Sequence, residues 1–234
     1  AIPQEKHTGN VAKSEYESLC YLNAHGIAIP PQAVAASPEE AVRAGEMLGY
    51  PLSVKIHSPD IQHKSDVGGV KLNIRNEEEL KSAYEQIMES CSRQVPEARL
   101  EGVLLKPMLK KGVEMIIGVN NDRDFGPMIL VGMGGIFVEL FRDVQLAPAP
   151  VSKKQALAMI RSLKSYPLLN GYRGNPVCQT EALADLLVKI SQMAAKEKER
   201  IRELDVNPVF VTDEGAEIAD ALLVLYEDTK GGIE

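Results

Sequence analysis

The sequence predicts an α+β protein, and the middle and the C-terminal part of the chain carry the clearest signals. Strand-like runs dominate 102–135, where GVLLKPM, VEMIIGV and PMILVGMGG follow one another closely. ELDVNPVFV at 203–211, a turn at 213–215 and AEIADALLVL together predict a β-hairpin. Helical segments interrupt these strands without the regular alternation of a doubly wound sheet, which favours the α+β class.

Capping residues and apolar periodicity predict the helices. We expect the first twelve residues to fray because they are polar and terminal. The predicted helices are Glu15–His25, one opened by Ser37-Pro38-Glu39-Glu40 and ended by Gly49, one opened by Asn76, 153–163 with Ser152 as cap, and 181–195 with Thr180 as cap. Predicted strands at 52–56 and 70–74 flank a polar loop at 57–69, and a boundary between two lobes is expected near Leu104–Met108.

Composition favours a small-molecule enzyme of the cytoplasm. The formal net charge of -7 disfavours nucleic acid and anionic lipid as partners. The three cysteines show no CxxC spacing, so we expect reduced thiols rather than disulfides or a zinc site. The polar N-terminal segment does not resemble a signal peptide, and no apolar run reaches the ~20 residues that span a bilayer.

Lys55 and a pair of glycines indicate a phosphate site. Lys55 interrupts the apolar run LSVKI, where an ammonium group is costly unless it is paired or faces a cleft. Gly68 and Gly69 allow a backbone to approach a phosphate closely. Each signal has an ordinary alternative, a lysine that reaches solvent from an edge strand and a turn that requires glycine. No GK[ST] sequence follows, so this is not a Walker A loop.

His63 lies in the same polar loop, beside Lys64. A histidine in such a loop is usually only solvated. A neutral imidazole can also attack phosphorus near neutral pH, so a phosphoryl carrier is the second hypothesis.

The predicted C-terminal hairpin offers oxygen ligands. Glu203, Asp205 and Asn207 alternate along one strand and therefore share a face. With Asp220 they supply the carboxylate and amide oxygens that Mg²⁺ prefers. A polar face exposed to solvent is the simpler alternative, although Asn207-Pro208 is unexpected inside an apolar strand.

Two further features of the middle segment remain open. Glu114 opens an apolar strand, either as a strand-end charge or as a hydrogen-bond acceptor for ribose hydroxyls. The segment 132–145 combines glycines with Glu139, which fits a tight turn, a second phosphate loop or a loop that docks a partner.

Three long segments resemble the ATP-grasp β subunits of ADP-forming acyl-CoA synthetases. They are YPLSVKIHSPDIQHKSDVGGVKLNI, DFGPMILVGMGGIFVELFRDV and ELDVNPVFV, and the resemblance runs from about residue 14 to residue 225. It implies the ATP-grasp fold, with two α+β lobes and the nucleotide between them. The implied domains are 1–28, an N-terminal helix on the larger lobe; 29–104, the small lobe with the glycine loop; and 105–234, the large lobe with the metal site.

The resemblance also implies how ATP or ADP and Mg²⁺ are bound. Phosphates would meet a lysine and the glycine loop, adenine would lie beside the hinge, and ribose would meet a glutamate. The implied nucleotide-binding residues are Lys55, Val67, Gly68, Gly69, Lys106, Met108 and Glu114. Asn207 and Asp220 are the implied magnesium ligands.

The implied reaction is acyl-CoA + ADP + phosphate = acid + ATP + CoA. His63 would carry a phosphoryl group to ADP, with Asp205 facing the phosphohistidine. An α subunit would supply the CoA site, the acyl site and a first phosphohistidine, in an α2β2 heterotetramer. Two alternatives stay open: a subunit of a succinate- or malate-type CoA ligase, and a non-catalytic module that senses nucleotide.

Overall fold

The chain divides into two compact units in a computed structural model that describes residues 9–61, 63–135, 143–174 and 176–227. The smaller unit comprises Ser14–Cys20 and Ile29–Leu109. The larger unit is built from 9–13, Tyr21–Ala28 and the described residues from Lys110 onward. Both units combine helices with antiparallel strands, so the predicted α+β class is confirmed.

The smaller unit holds a four-stranded antiparallel sheet with the order β2-β5-β3-β4. Its strands are β2 (Ala33–Ala35), β3 (Leu52–Ile56), β4 (Val70–Ile74) and β5 (Val103–Pro107). Its helices are α2 (Pro38–Leu48) and α3 (Glu77–Gln94), and α1 (Glu15–Ala24) contributes its first residues. The predicted strands at 52–56 and 70–74, and the loop between them, are therefore confirmed.

Side-chain caps begin the two long helices of this unit as the sequence predicts. The Ser37 hydroxyl accepts the Glu40 N–H at 3.2 Å, and Pro38 occupies the first turn. The Asn76 side chain accepts the Glu79 N–H at 2.9 Å. One face of α3 packs on the sheet and completes the core; its buried residues are Leu80, Ala83, Tyr84, Ile87 and Cys91.

The two units divide a few residues later than the expected boundary at 104/105. That position falls inside β5, which pairs with β2 and β3. The Met108 N–H continues this pairing by donating to the Pro51 carbonyl at 2.9 Å. The boundary between the compact units lies between Leu109 and Lys110.

The larger unit holds a seven-stranded antiparallel sheet with the order β1-β11-β9-β6-β7-β8, and β10 pairs with β9. Its strands are β1 (Asn10–Ala12), β6 (Val113–Asp122), β7 (Gly126–Met133), β8 (Val144–Pro148), β9 (Ile201–Val211), β10 (Ala216–Ile218) and β11 (Ala221–Tyr226). Its helices are α4 (Lys153–Arg161), α5 (Tyr166–Leu169) and α6 (Thr180–Lys196), with the last residues of α1. The predicted C-terminal hairpin is confirmed, since β10 and β11 both run antiparallel to β9.

Two local predictions in this unit are wrong. Asn10–Ala12 pairs with Val224–Tyr226, so the described part of the polar N-terminal segment adds an edge strand instead of fraying. Thr180 is the first helical residue of α6; the cap position belongs to Gln179, which makes no side-chain capping bond. Ser152 does form the full capping box with Gln155.

Within the described residues, no helix combines the length and apolarity that crossing a bilayer requires.

Candidate functional site

Three lysines converge on one buried carboxylate in the smaller unit. Lys55 Nζ lies 2.8 Å from Glu15 Oε1, and Lys64 Nζ lies 2.7 Å from Glu15 Oε2. Lys106 Nζ also bonds to Glu15 Oε1. The Glu15 side chain is only 2% exposed and that of Lys106 only 5%. We call these four residues the lysine cluster.

The sheet register explains why two of these lysines meet. On adjacent strands β3 and β5, Ser53 pairs with Lys106 and Lys55 pairs with Leu104. Ser53 and Lys55 are two residues apart on β3, so Lys55 and Lys106 project from the same face of the sheet as diagonal neighbours. Lys64 reaches the same point from the loop that follows β3.

The lysine cluster keeps its carboxylate ionised. Burial alone raises the pKa of Glu15, but the three lysine charges, of which Lys106 contributes most, outweigh it and hold this pKa well below its usual range. Sequence reasoning named Lys55 and Lys106 but missed Glu15. A glutamate in the first turn of a helix is common because it complements the helix dipole, so its pattern alone does not indicate burial.

Packing requires Gly69 in the predicted phosphate loop, and backbone conformation requires Gly68. A Cβ on Gly69 would lie 2.6 Å from Ile56 Cγ2 and 2.9 Å from the Lys64 carbonyl oxygen. Gly68 has φ of +68°, in the left-handed region, and a Cβ there would lie 2.6 Å from Ser90 Oγ. The structural explanation for these glycines therefore holds, and it does not oppose a functional one.

The backbone N–H groups of Gly68 and Gly69 already have acceptors. Gly69 donates to the Lys64 carbonyl at 2.8 Å, and Gly68 donates to the Ser65 carbonyl at 3.2 Å. The Val67 carbonyl accepts the Ser90 hydroxyl at 2.9 Å. Direct phosphate binding by these N–H groups would require the loop to rearrange, so that role stays a prediction.

The other predicted residues of the smaller unit occupy defined positions. His63 is exposed in the loop between β3 and β4, and its carbonyl accepts the Asp66 N–H at 3.2 Å. Met108 is half-buried just after β5 and held by its bond to Pro51. An exposed imidazole on a loop is accessible, which a phosphoryl carrier needs.

In the larger unit, polar residues follow one face of β9. Glu203, Asp205 and Asn207 are exposed, whereas Leu204 and Val206 between them are buried. The predicted alternation is therefore present, and it places three oxygen-bearing side chains on one face.

A β-bulge accommodates Asn207-Pro208 within β9. Met115 of β6 pairs with Val209 while Ile117 pairs with Val206, so two residues of β9 oppose one residue of β6. Such a bulge leaves one backbone group outside the ladder and allows proline in a strand. On the other side, the Asn207 N–H donates to the Asp220 carbonyl at 3.1 Å.

The carboxylates near this bulge repel one another. The protein atoms packed around the Asp205 carboxylate remove water from it, and this desolvation, with the negative charges of Asp220 and Glu203, raises its pKa, while a hydrogen bond from the Asn207 side chain lowers it. A cation would relieve this repulsion. The described residues contain no cluster of three or more His, Cys, Asp or Glu side chains arranged for a metal. The predicted ligand pair is of another kind, since it combines the amide of Asn207 with the carboxylate of Asp220.

Glu114 lies beside two glycines at the start of β6. The Gly134 N–H donates to the Glu114 carbonyl at 2.6 Å, and a Cβ on Gly135 would lie 3.1 Å from Glu114 Oε2. The exposed Glu114 carboxylate thus lies next to the Gly134-Gly135 backbone, which carries no side chains that could cover it. Glu139, in the same glycine-containing segment, lies outside the described residues.

The two α+β units, with a lysine cluster in one and an acidic strand face in the other, are the features to compare with known proteins. The ATP-grasp domain family matches residues 4–225, and the chain belongs to this family. The predicted ATP-grasp fold is confirmed.

Among individual proteins, the chain is similar to an acetate–CoA ligase β subunit and to an acetyl-coenzyme A synthetase. The chain is 44% identical over 219 residues to the β subunit of acetate–CoA ligase [ADP-forming] II of Pyrococcus furiosus, covering 93% of each chain. The dinucleotide-forming acetyl-coenzyme A synthetase 1 of Ca. Korarchaeum cryptofilum, solved with coenzyme A, Ca-AMPCP and HgCl⁺, superposes with a TM-score of 0.89 at 42% identity, covering 94% of this chain and 96% of that one.

Another solved structure of the Korarchaeum enzyme is also similar to this chain. It contains coenzyme A and Mg-AMPPCP, and its phosphohistidine segment points towards the nucleotide-binding site. It matches with a TM-score of 0.80 at 39% identity and covers 91% of this chain and 93% of that one.

Proposed function

We propose that this chain is the nucleotide-binding β subunit of an ADP-forming acyl-CoA synthetase. The overall reaction is acyl-CoA + ADP + phosphate = acid + ATP + CoA, and this subunit transfers the phosphoryl group between a phosphohistidine and ADP. The observation that carries the proposal is the lysine cluster, which gathers three ammonium groups at one buried point of an ATP-grasp domain. The identity of 44% to an acetate–CoA ligase β subunit supports the reaction class.

Phosphoryl transfer depends mainly on charge neutralisation and in-line placement. Lysines from two neighbouring strands and a loop supply concentrated positive charge, and a buried setting strengthens their attraction for a polyphosphate. We assign Lys55 and Lys106 to the phosphates of the nucleotide. The Val67–Gly69 backbone is assigned to the same phosphates, Met108 to the hinge beside adenine, and Glu114 to the ribose.

His63 is the proposed phosphoryl carrier of this chain. In the ATP-forming direction, the N–P bond of phosphorylated His63 breaks while an O–P bond forms to a terminal phosphate oxygen of ADP. The electron pair of the broken bond returns to the imidazole, which is then free to accept another phosphoryl group. The exposed loop position of His63 supports this role, because the side chain must reach a donor on another protein surface.

Asn207 and Asp220 are the proposed magnesium ligands. Their amide and carboxylate oxygens suit a hard cation, and their backbones are hydrogen-bonded at 3.1 Å. Bound Mg²⁺ supplies Lewis-acid neutralisation of phosphoryl oxygens. Asp205, two residues before Asn207, is assigned to the phosphohistidine, whose imidazole a nearby carboxylate can orient.

The partner is a proposed α subunit that carries the CoA site, the acyl site and the first phosphohistidine. The β-subunit name of the Pyrococcus relative supports such a partner. We further propose an α2β2 heterotetramer located in the cytoplasm.

Reconstitution tests the proposal. The chain is mixed with the candidate α subunit, acetyl-CoA, ADP, phosphate and Mg²⁺, and ATP formation is followed by a coupled assay. We expect ATP only when both chains and all substrates are present. ATP formation by the α subunit alone, or none with any acyl-CoA offered to the complex, would contradict the proposal.

A further inference from the structure

We propose that Glu15 is a positioning residue for phosphate binding, because it holds Lys55, Lys64 and Lys106 together at one point. The inference rests on the proposed function and adds to it a residue that touches the lysines rather than the nucleotide.

The local structure of α1 does not require Glu15. The Ser14 N–H donates to Glu17 Oε2 at 2.9 Å, and the Glu17 N–H donates to Ser14 Oγ at 3.3 Å. These reciprocal bonds cap the helix. Glu17 is exposed, whereas Glu15 is 2% exposed and points its carboxylate at the lysines.

The three lysines come from separate parts of the chain and meet at Glu15. They lie 40, 49 and 91 residues away from it in sequence. Because Lys55 and Lys106 bond to the same carboxylate oxygen, their ammonium groups are close enough to repel each other. A buried carboxylate between them offsets that repulsion.

Burial makes this arrangement sensitive to loss of the carboxylate. Buried ammonium groups that lose their counter-ion either turn towards solvent or give up a proton. In both cases the cluster would present less ordered positive charge to a phosphate. Glu15 therefore acts by preorganisation, and its removal should weaken phosphate binding while it leaves binding of the nucleoside part unchanged.

The test compares ADP with adenosine. Isothermal titration of the purified full chain with each ligand, in the presence of Mg²⁺, is carried out for wild type, Glu15→Gln and the matched control Glu17→Gln. We expect Glu15→Gln to weaken ADP binding about tenfold or more and to change adenosine binding less than about twofold. Glu17→Gln should change neither.

If Glu15→Gln loses affinity for ADP and for adenosine equally, the role of Glu15 is merely structural. If its ADP affinity is at or above that of wild type, Glu15 does not assist phosphate binding. Either result overturns the inference. If Glu15→Gln does not fold, the comparison is made with Glu15→Asp, which keeps the charge but is one methylene shorter. It should weaken ADP binding selectively and by less, and wild-type ADP affinity or equal losses in this variant also overturn the inference.

The same titration separates the two proposals. A wild-type chain that binds ADP, with variants that show no selective loss, contradicts the role of Glu15 alone. A wild-type chain that binds no ADP contradicts both the proposed function and the inference.

Discussion

The backbone N–H of Asn207 donates to the carbonyl oxygen of Asp220 at 3.1 Å, so two residues 13 positions apart in sequence lie side by side where β9 meets β11. This bond lies next to the bulge at Asn207-Pro208. A bulge often redirects a side chain beside a functional site. The relationship supports Asn207 and Asp220 as a ligand pair for one cation.

Replacing Asp220 by Ala should weaken the dependence of ADP binding on Mg²⁺. A carboxylate oxygen is a preferred ligand of this ion, and we expect the affinity for ADP at saturating Mg²⁺ to fall about tenfold. Titration of ADP at several Mg²⁺ concentrations measures the effect. Glu217→Ala, at an exposed position of the same hairpin, is the control. An unchanged magnesium titration in Asp220→Ala would assign the metal to other residues.

Replacing Lys55 by Ala should reduce affinity for ADP more than affinity for adenosine. The Lys55 side chain is 14% exposed, and the only part of the nucleotide that its ammonium group would contact is the phosphate. We expect an ADP loss of roughly tenfold, which corresponds to about 1.4 kcal/mol, and little change for adenosine. Lys81→Ala, which removes an exposed lysine of α3, should leave both affinities unchanged. Equal losses in Lys55→Ala would remove its phosphate role.

Replacing His63 by Ala should abolish phosphorylation of this chain. In the presence of the candidate α subunit, γ-phosphate-labelled ATP should label wild type and the control His25→Gln but not His63→Ala. ADP binding should persist in all three proteins, because the carrier is not a binding residue. Labelling is measured on the separated chains under alkaline conditions that preserve phosphohistidine. Undiminished labelling of His63→Ala would end the carrier proposal.

Replacing Gly69 by Ala should destabilise the smaller unit. The new Cβ would meet Ile56 Cγ2 at 2.6 Å and the Lys64 carbonyl at 2.9 Å. Overpacking of this kind costs about 1–3 kcal/mol and should lower the Tm measured by circular dichroism. It should also weaken ADP binding, since Lys64 would move. Gly215→Ala, where the added Cβ meets nothing within 4 Å, should leave both measurements unchanged. An unaltered Tm in Gly69→Ala would show that the loop adjusts easily.

Local signals in the sequence predicted much of the fold. Ser37, Asn76 and Ser152 each make a side-chain cap to a residue three positions later. Such a cap depends only on nearby residues, so the sequence alone can predict it. Thr180 has the same chemistry but is not a cap, because the backbone enters α6 one residue earlier. Asn10–Ala12 has no apolar pattern, and pairing with the distant β11 makes it a strand.

The sequence indicated parts of the candidate site where a polar or turn-forming residue stands inside an apolar strand. Lys55 interrupts an apolar strand, and Asn207-Pro208 interrupts another; both anomalies coincide with features of the candidate site. Glu15 contradicts nothing locally, since glutamate is ordinary in the first turn of a helix. Its role depends on lysines up to 91 residues away, which only the tertiary structure brings to it.

Replacing Asp143 by Asn should make the larger unit less stable at neutral pH but not in acid. Asp143 is buried, and its carboxylate accepts the N–H groups of Lys164 and Ser165 at 2.8 and 2.7 Å. Burial raises its pKa, yet the Ser165 side chain, these two N–H groups and the charge of Lys164 together outweigh burial, and the pKa is lowered. A lowered pKa in the folded state means that ionisation stabilises the fold above the ordinary aspartate range, and that this contribution is lost as the pH falls through the folded-state pKa.

Asparagine keeps one acceptor oxygen but no charge, so the free energy of unfolding at pH 7 should fall by about 1–2 kcal/mol. The difference from wild type, measured by urea unfolding between pH 7 and pH 3, should shrink as the pH decreases. The exposed Asp124→Asn variant should match wild type at neutral pH. A deficit in Asp143→Asn that is constant over this range would show that shape, rather than charge, makes Asp143 stabilising.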